Sequence, residues 1–220
     1  MDMHLIIELA AAVIIIIAWA GYVYAKKRSN AFFEFARRRG LSFSKNYEIN
    51  EALKSADFRL LHKETSGKAA NLVSGDTDGA GVMIFDFTYR AGAGQASTTY
   101  RQTVCILKSE KMNLPVFQLY PENIFYRISA LLGEQDINFR SHAEFSGSYV
   151  LRGDDEDSVR NIFTDNVISY FASHKGLSVE GNRQMLMIYR NATLIRTGEI
   201  QSFLAEGIKI LRLFEQGVRF

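Results

Sequence analysis

Residues 5–25, LIIELAAAVIIIIAWAGYVYA, constrain this chain more than any other stretch. As a helix rising about 1.5 Å per residue the run spans roughly 30 Å, the thickness of a bilayer's hydrocarbon core, so it can cross once. Ile14, Ile15, Ile16 and Ile17 make its centre apolar all round, where a soluble amphipathic helix would carry a polar face. Trp19, Tyr22 and Tyr24 gather near one end, where amphipathic rings meet headgroups, and Lys26, Lys27 and Arg28 follow at once. These six residues are the expected membrane interface. Glu8 lies near the start of the run and reads as reaching the opposite interface, the alternative being a functional carboxylate inside the membrane. A buried core helix is the competing reading of the whole run, but cores rarely need so long an uninterrupted apolar stretch.

The flanks set an expected orientation. A cleaved secretory signal carries basic residues before its apolar run and small residues at a cleavage site after it; here only Met1, Asp2, Met3 and His4 precede the run. The basic residues follow it, at 26–28 and again at Arg37, Arg38 and Arg39. The positive-inside rule then places a short N-terminus outside the cell and everything after Ala25 in the cytoplasm, in a single-pass inner-membrane protein. The single cysteine, Cys105, agrees with a reducing compartment and excludes an internal disulfide. Within an apolar strand, with no adjacent histidine, Cys105 reads as a packed residue and not a nucleophile.

The organisation follows: an anchor over 1–28, a juxtamembrane helix over 29–40 and a domain over 41–220. The residues after the anchor are enough for a proper core. A formal net charge of +2, with basic residues crowded beside the membrane, argues against nucleic acid as a partner and for the lipid bilayer.

Asn30 can cap a helix over 31–39 that Gly40 ends in a left-handed conformation; Phe32, Phe33, Phe35 and Ala36 give it an apolar side. It is either a membrane-surface helix or the neck that docks the domain. Strands are expected at 41–43 and 58–62, with a loop and weak helix between. Gly75, Asp76, Asp78 and Gly79 form a turn between 72–74 and 82–89, and AGAG at 91–94 leads into 98–107, giving two hairpins. Pro115 suits the start or edge of a strand over 116–119. Pro121 and Glu122 suit the start of a helix running to Gly133. A strand over 148–151 precedes a helix opened at Gly153, which Thr164 and Asp165 can break in two. A hairpin over 177–180 and 185–189 follows, and a helix over 198–216 carries Ile200, Phe203, Leu204, Ile208, Leu211 and Phe214 on one face. Strands first and helices later indicate an α+β domain with a largely antiparallel sheet. FQLYPENIFYRI and YVLRGDDEDSVRNIF each run as strand, acidic junction and helix, a faint internal echo.

The ordered set FRLLHK, NLVSGD, VMIFDFTY, the Gly-rich turn, QTV, LPVFQLYPEN and EFSGSYVLRGDDEDSVRNIFT resembles an uncharacterised family of single-span bacterial membrane proteins. The resemblance covers most of the chain after the anchor. It implies a membrane tether with a cytoplasmic domain, and no activity or catalytic residue comes with it.

Searches for chemistry return no catalytic set, no cofactor and no metal site. GAG at 92–94 lacks the strand, turn and helix of a dinucleotide site, and SGK at 66–68 lacks the first glycine of a phosphate loop. DTDG at 76–79 begins like a calcium loop without the later ligands. His4, His62, His142 and His174 are too scattered for metal-ligand spacing, and the sequon at Asn191 means nothing in a cytoplasmic domain. The acidic run Asp154, Asp155, Glu156, Asp157 is explained by a helix start, where carboxylates meet unpaired amides. A cation site there would need carboxylates such as Asp86, Asp136 or Glu144 to approach in the fold.

Two function classes remain. One is a binding or scaffolding domain held at the membrane for a protein partner, which leaves no catalytic motif. The alternative is a membrane-tethered enzyme, in which the acidic run or Tyr100, Arg101, Gln102 and Thr103 line a pocket.

Overall fold

The computed structural model describes residues 3–62, 67–92, 97–123 and 136–217. Helix α1, Met3–Arg39, runs 37 residues without a break. It is long and apolar enough to cross a membrane, and its apolar window is not buried by the rest of the protein. Ile14, Ile15, Ile16 and Ile17 are 62–67% exposed. An apolar cylinder of this size is stable in hydrocarbon and not in water.

The second half of α1 behaves differently. Phe32, Phe35 and Ala36 are buried, at helical spacing, on the core of the domain. Residues 29–39 are therefore the docked neck, continuous with the apolar first half of α1; Asn30 stands exposed inside the helix and not at a cap. The modest propensity cost of Ser29 and Asn30 is outweighed by the docking of the residues on either side. Gly40 does end the helix, at φ +66°, with Leu41 N donating to Ala36 O at 2.9 Å and Gly40 N to Arg37 O at 3.4 Å. That pair of bonds is a Schellman closure, and it turns the chain straight into the first strand.

Among the described residues, eight antiparallel strands form one sheet in the order β1-β2-β3-β4-β8-β7-β5-β6. The strands are β1 Ser42–Tyr47, β2 Lys68–Thr77, β3 Ala80–Ala91, β4 Thr98–Lys108, β5 Leu114–Pro121, β6 Tyr149–Gly153, β7 Ser178–Arg183 and β8 Met185–Tyr189. The α+β, antiparallel expectation holds. Asp78 and Gly79, both at positive φ, make the two-residue turn between β2 and β3. Pro115 sits at an irregularity in the β5–β7 ladder between Leu114 and Phe117, so its missing amide breaks no regular pair.

The two faces of the sheet have separate cores. One is covered by the neck of α1 and by α5 (Glu156–Ile162), α6 (Asp165–Ser173) and α7 (Ile200–Gly217), and holds Ile84, Cys105, Leu107, Phe117 and Leu151. The acidic junction and the Thr164 break between α5 and α6 fall where the sequence puts them. The other core holds Phe85, Phe87, Val104, Ile106 and Met187 under two single-turn helices, α2 (Glu51–Lys54) and α3 (Arg59–His62). Residues 58–62 were expected as a strand and are not one. Asp57 takes φ +53° and reverses the chain, so Phe58 and Leu60 both plug into the second core, at 1% and 2% exposure. Apolar residues two apart mimic strand alternation here. Between β5 and β6, Ala143–Ser146 forms a further short helix, α4. The helix expected over 121–133 falls mostly outside the described residues, as does the second half of AGAG.

Phe117 fixes the centre of the helical face. Its ring meets Phe163 edge-on at 5.2 Å and Phe214 at 5.4 Å, and lies against Gly181, its register partner on β7. A Cβ on Gly181 would fall 2.1 Å from Phe117 Cε1. Gly181→Ala is therefore expected to destabilise by roughly 1–3 kcal/mol through overpacking. Chemical unfolding in detergent checks this, and an unchanged midpoint would show that the ring has room to move.

Candidate functional site

Among the described residues, a dense polar network lies at the joint between the long N-terminal helix and the sheet. Trp19, Tyr22, Tyr24, Lys26 and Lys27 stand exposed on α1, but Arg28, one residue on, is 4% exposed. Its guanidinium points into the domain, against the expectation that it faces headgroups with its two lysine neighbours. Nε donates to Asp86 Oδ2 and Nη2 to Asp86 Oδ1, both at 2.6 Å, a bidentate pair. Nη2 also donates to Thr103 Oγ1 at 2.9 Å, and Nη1 to the Ile195 carbonyl at 2.7 Å. The guanidinium carbon lies 5.1 Å from the centre of the Phe32 ring.

Each partner is placed by its own element. Asp86 on β3 and Thr103 on β4 are register partners, so their side chains rise together from the helical face. The Thr103 hydroxyl donates to Asp86 Oδ1 at 3.0 Å and accepts from Ile195 N at 3.2 Å. Asn71 sits at φ +55° in the β2 irregularity between Ala70 and Val73, and its Nδ2 reaches Asp86 Oδ2 at 2.9 Å. Burial alone would lower the Arg28 pKa, but the Asp86 carboxylate more than offsets it, and the group is held above its ordinary value.

The polar run 100–103 is divided by the strand. Gln102 and Thr103 are fully buried and pin the loop after β8: Gln102 Oε1 accepts from Ala192 N at 3.0 Å, and Thr103 N donates to Thr193 O at 3.0 Å. Tyr100 stacks on Tyr89 at 5.3 Å, and Arg101 is exposed. These four residues do not converge on one pocket.

A second buried carboxylate, Glu180 on β7, lies on the opposite face. Its Oε1 accepts from Tyr189 at 2.9 Å, Tyr120 at 3.2 Å and Leu60 N at 3.3 Å, and so tethers α3 to the sheet. Burial, and then the Glu180 charge, push both tyrosine hydroxyls well above their ordinary range. With the three side chains at 0–3% exposure, the cluster has the character of a structural lock. In the sequence Glu180 is an acid set between Val179 and Gly181, within a strand that also carries Asn182 and Arg183.

The acidic run divides as a helix start requires. Asp155 is the N-cap of α5 and accepts from Ser158 N at 3.1 Å and Ser158 Oγ at 2.7 Å, which lower its pKa, while Glu156 and Asp157 occupy the first turn. The other carboxylates are engaged elsewhere: Asp86 at Arg28, Asp136 on Leu151 N at 3.0 Å and Glu144 with Lys175 at 3.3 Å. Among the described residues no group of three or more His, Cys, Asp or Glu side chains is placed to hold a metal ion. Cys105 is fully buried, and desolvation raises its thiol pKa to about 12.

No protein-family model matches the chain, and no curated protein matches it. Among solved structures it is similar to the mycobacterial trehalose monomycolate transport factor A, TtfA, with a TM-score of 0.58 at 16% sequence identity. The likeness covers 87% of this chain and 94% of that one, and at this identity it speaks to fold.

Removing Asp86 leaves a buried guanidinium without its counter-charge, so Asp86→Ala should cost about 3–5 kcal/mol. Arg28→Met combined with Asp86→Leu should recover most of it, because both charges go together. Equilibrium unfolding of the full chain in detergent measures both, and equal losses in single and double variants would overturn the reading of a mutually dependent pair. For the acidic run, Asp154→Asn with Asp155→Asn should leave the response to magnesium or calcium as flat as in the wild type. A wild-type melting temperature that climbs with either cation, and stops climbing in the variant, would instead make the run a metal site.

Proposed function

We propose that this protein is a single-pass inner-membrane protein of a bacterium, N-terminus outside, whose cytoplasmic domain serves as a non-catalytic docking factor for a protein partner in the same membrane. The observation that carries the reading is the joint: an unbroken helix leaves the span and is clamped to the sheet by Arg28 and Asp86. A tether that merely raises an enzyme's local concentration works best as a flexible linker with reach. A clamped helix gives no reach; it fixes which surface of the domain faces its neighbours in the membrane. The exposed lysines at 26 and 27 and the arginines in the last turn of α1 support the cytoplasmic orientation. The transport factor of similar fold supports an accessory role in membrane transport over a reaction of the chain's own.

Two experiments test this. A reporter fused after Phe220 should be active only as a type that works in the cytoplasm; activity from a periplasmic reporter would reverse the orientation. Photocrosslinkers on the domain surface should capture the same membrane protein reproducibly from intact membranes. A flexible Gly-Ser insert between Lys26 and Lys27 should abolish that capture while the domain remains folded. Undiminished capture would show that fixed geometry is not what the joint provides.

A further inference from the structure

The sheet ends in two edges that the chain treats differently. At β6 the outer side is closed by the segment before it: Ile137 N donates to Leu151 O at 2.8 Å, and Leu151 N donates to Asp136 Oδ1 at 3.0 Å. At β1 no such segment arrives. Among the described residues, no main-chain group of β1 is bonded outside its ladder with β2, except that the Asn46 carbonyl accepts from Ser44 Oγ at 2.6 Å. Ser44, Lys45 and Asn46 are consecutive, so they point to alternate sides of the strand, and all three are exposed. In an antiparallel pair every second residue of an edge strand turns its N–H and C=O outward. β1 therefore presents a row of open donors and acceptors about 20 Å long.

Apolar surface flanks this row. Past Tyr24, Phe33 is the one large apolar side chain among the described residues that stands exposed, at 47%. Its ring meets Phe43 of β1 edge-on at 5.8 Å, so neck and edge share one apolar patch. β1 is joined to the neck by Gly40 and Leu41 alone, behind the Schellman closure, and so keeps a fixed attitude to α1.

A ladder of outward N–H and C=O groups selects an extended main chain as its occupant. Size then decides between a second copy and a different protein. The six residues of β1 and the Phe33 ring fall well below the roughly 20–30 residues a side of a stable interface, so two copies would gain too little here to dimerise. Charge agrees. β1 carries Lys45 and no acid, and Glu34 on the neck is held by Arg37 at 2.6 Å. Glu48, just past the strand, would meet Lys45 of a second copy only in a register that leaves half of β1 unpaired. A partner confined to the same membrane needs less area, because confinement raises its effective concentration.

We propose that the β1 edge takes an extended segment of the membrane partner as an added strand, with an apolar side chain on Phe33 and Phe43 and a carboxylate beside Lys45. This deepens the docking role and rests on it.

The test uses the full-length chain in detergent and a fluorescent peptide in which valine and threonine alternate around one aspartate. Binding should slow hydrogen exchange at alternate amides within 42–47, those not bonded to β2. Phe33→Asp should weaken binding about fivefold, the worth of an aromatic contact. Lys45→Glu should weaken it about threefold, a loss regained when lysine replaces the peptide's aspartate. Arg101→Gln, an exposed charge on β4, should change nothing. Equal binding of a peptide with proline at every second position, or protection confined to residues outside 42–47, would overturn the added strand. A chain that sediments as a dimer and is dissociated by the peptide would give the edge to a second copy and overturn the partner. In intact membranes, photocrosslinkers at positions 33 and 44 separate the edge from the docking role. Capture of the partner from other surface positions but not from these two overturns the edge alone, and capture from none overturns both. Unchanged far-ultraviolet spectra of the variants distinguish lost binding from lost folding.

Discussion

An arginine placed one residue after two solvated lysines would ordinarily reach for water or headgroups, and burying it costs several kcal/mol before any partner is counted. Here the cost is met by a bidentate carboxylate, a hydroxyl and a backbone carbonyl drawn from β3, β4 and the loop after β8. Because those partners lie 58, 75 and 167 residues away in sequence, the pair forms only when the sheet is complete. The orientation of α1 is thus tied to the integrity of the domain. Such a pair contributes modestly to net stability and strongly to geometry, since any rotation of α1 would leave a buried charge alone.

The sheet supports this joint by keeping two independent cores. On the helical face, Phe117 lies against Gly181, and Gly207 lets α7 settle onto β4, where an added Cβ would be 3.2 Å from Leu107 Cδ1. Both contacts are glycine against a large side chain, so the layer tolerates little sliding. On the other face, Glu180 and its two tyrosines hold the short α3 in place of the strand that the local pattern suggested. On each face a buried carboxylate anchors a peripheral segment to the sheet: Asp86 the neck on one side, Glu180 the α2–α3 cap on the other.

The turn at 190–196 that receives Arg28 is itself pinned to the sheet by Gln102 and Thr103, so the joint and the loop after β8 are held by one set of bonds.

What the sequence determined alone were features whose signal is local. The membrane-length run, the turn among Gly75, Asp76, Asp78 and Gly79, the Gly40 stop, the acidic helix start at 154–157 and the apolar face of the last helix each depend on neighbours within a few residues, and the structure places each accordingly. What only the tertiary structure decided were the fates of residues whose partners are remote. Arg28 reads like Lys26 and Lys27, Asp86 like any acid in a strand, and Phe58 with Leu60 like strand alternation. The physical reason is common to all three. Whether a side chain is solvated or buried depends on what the rest of the chain brings within a few ångströms, and periodicity along the chain carries no record of that.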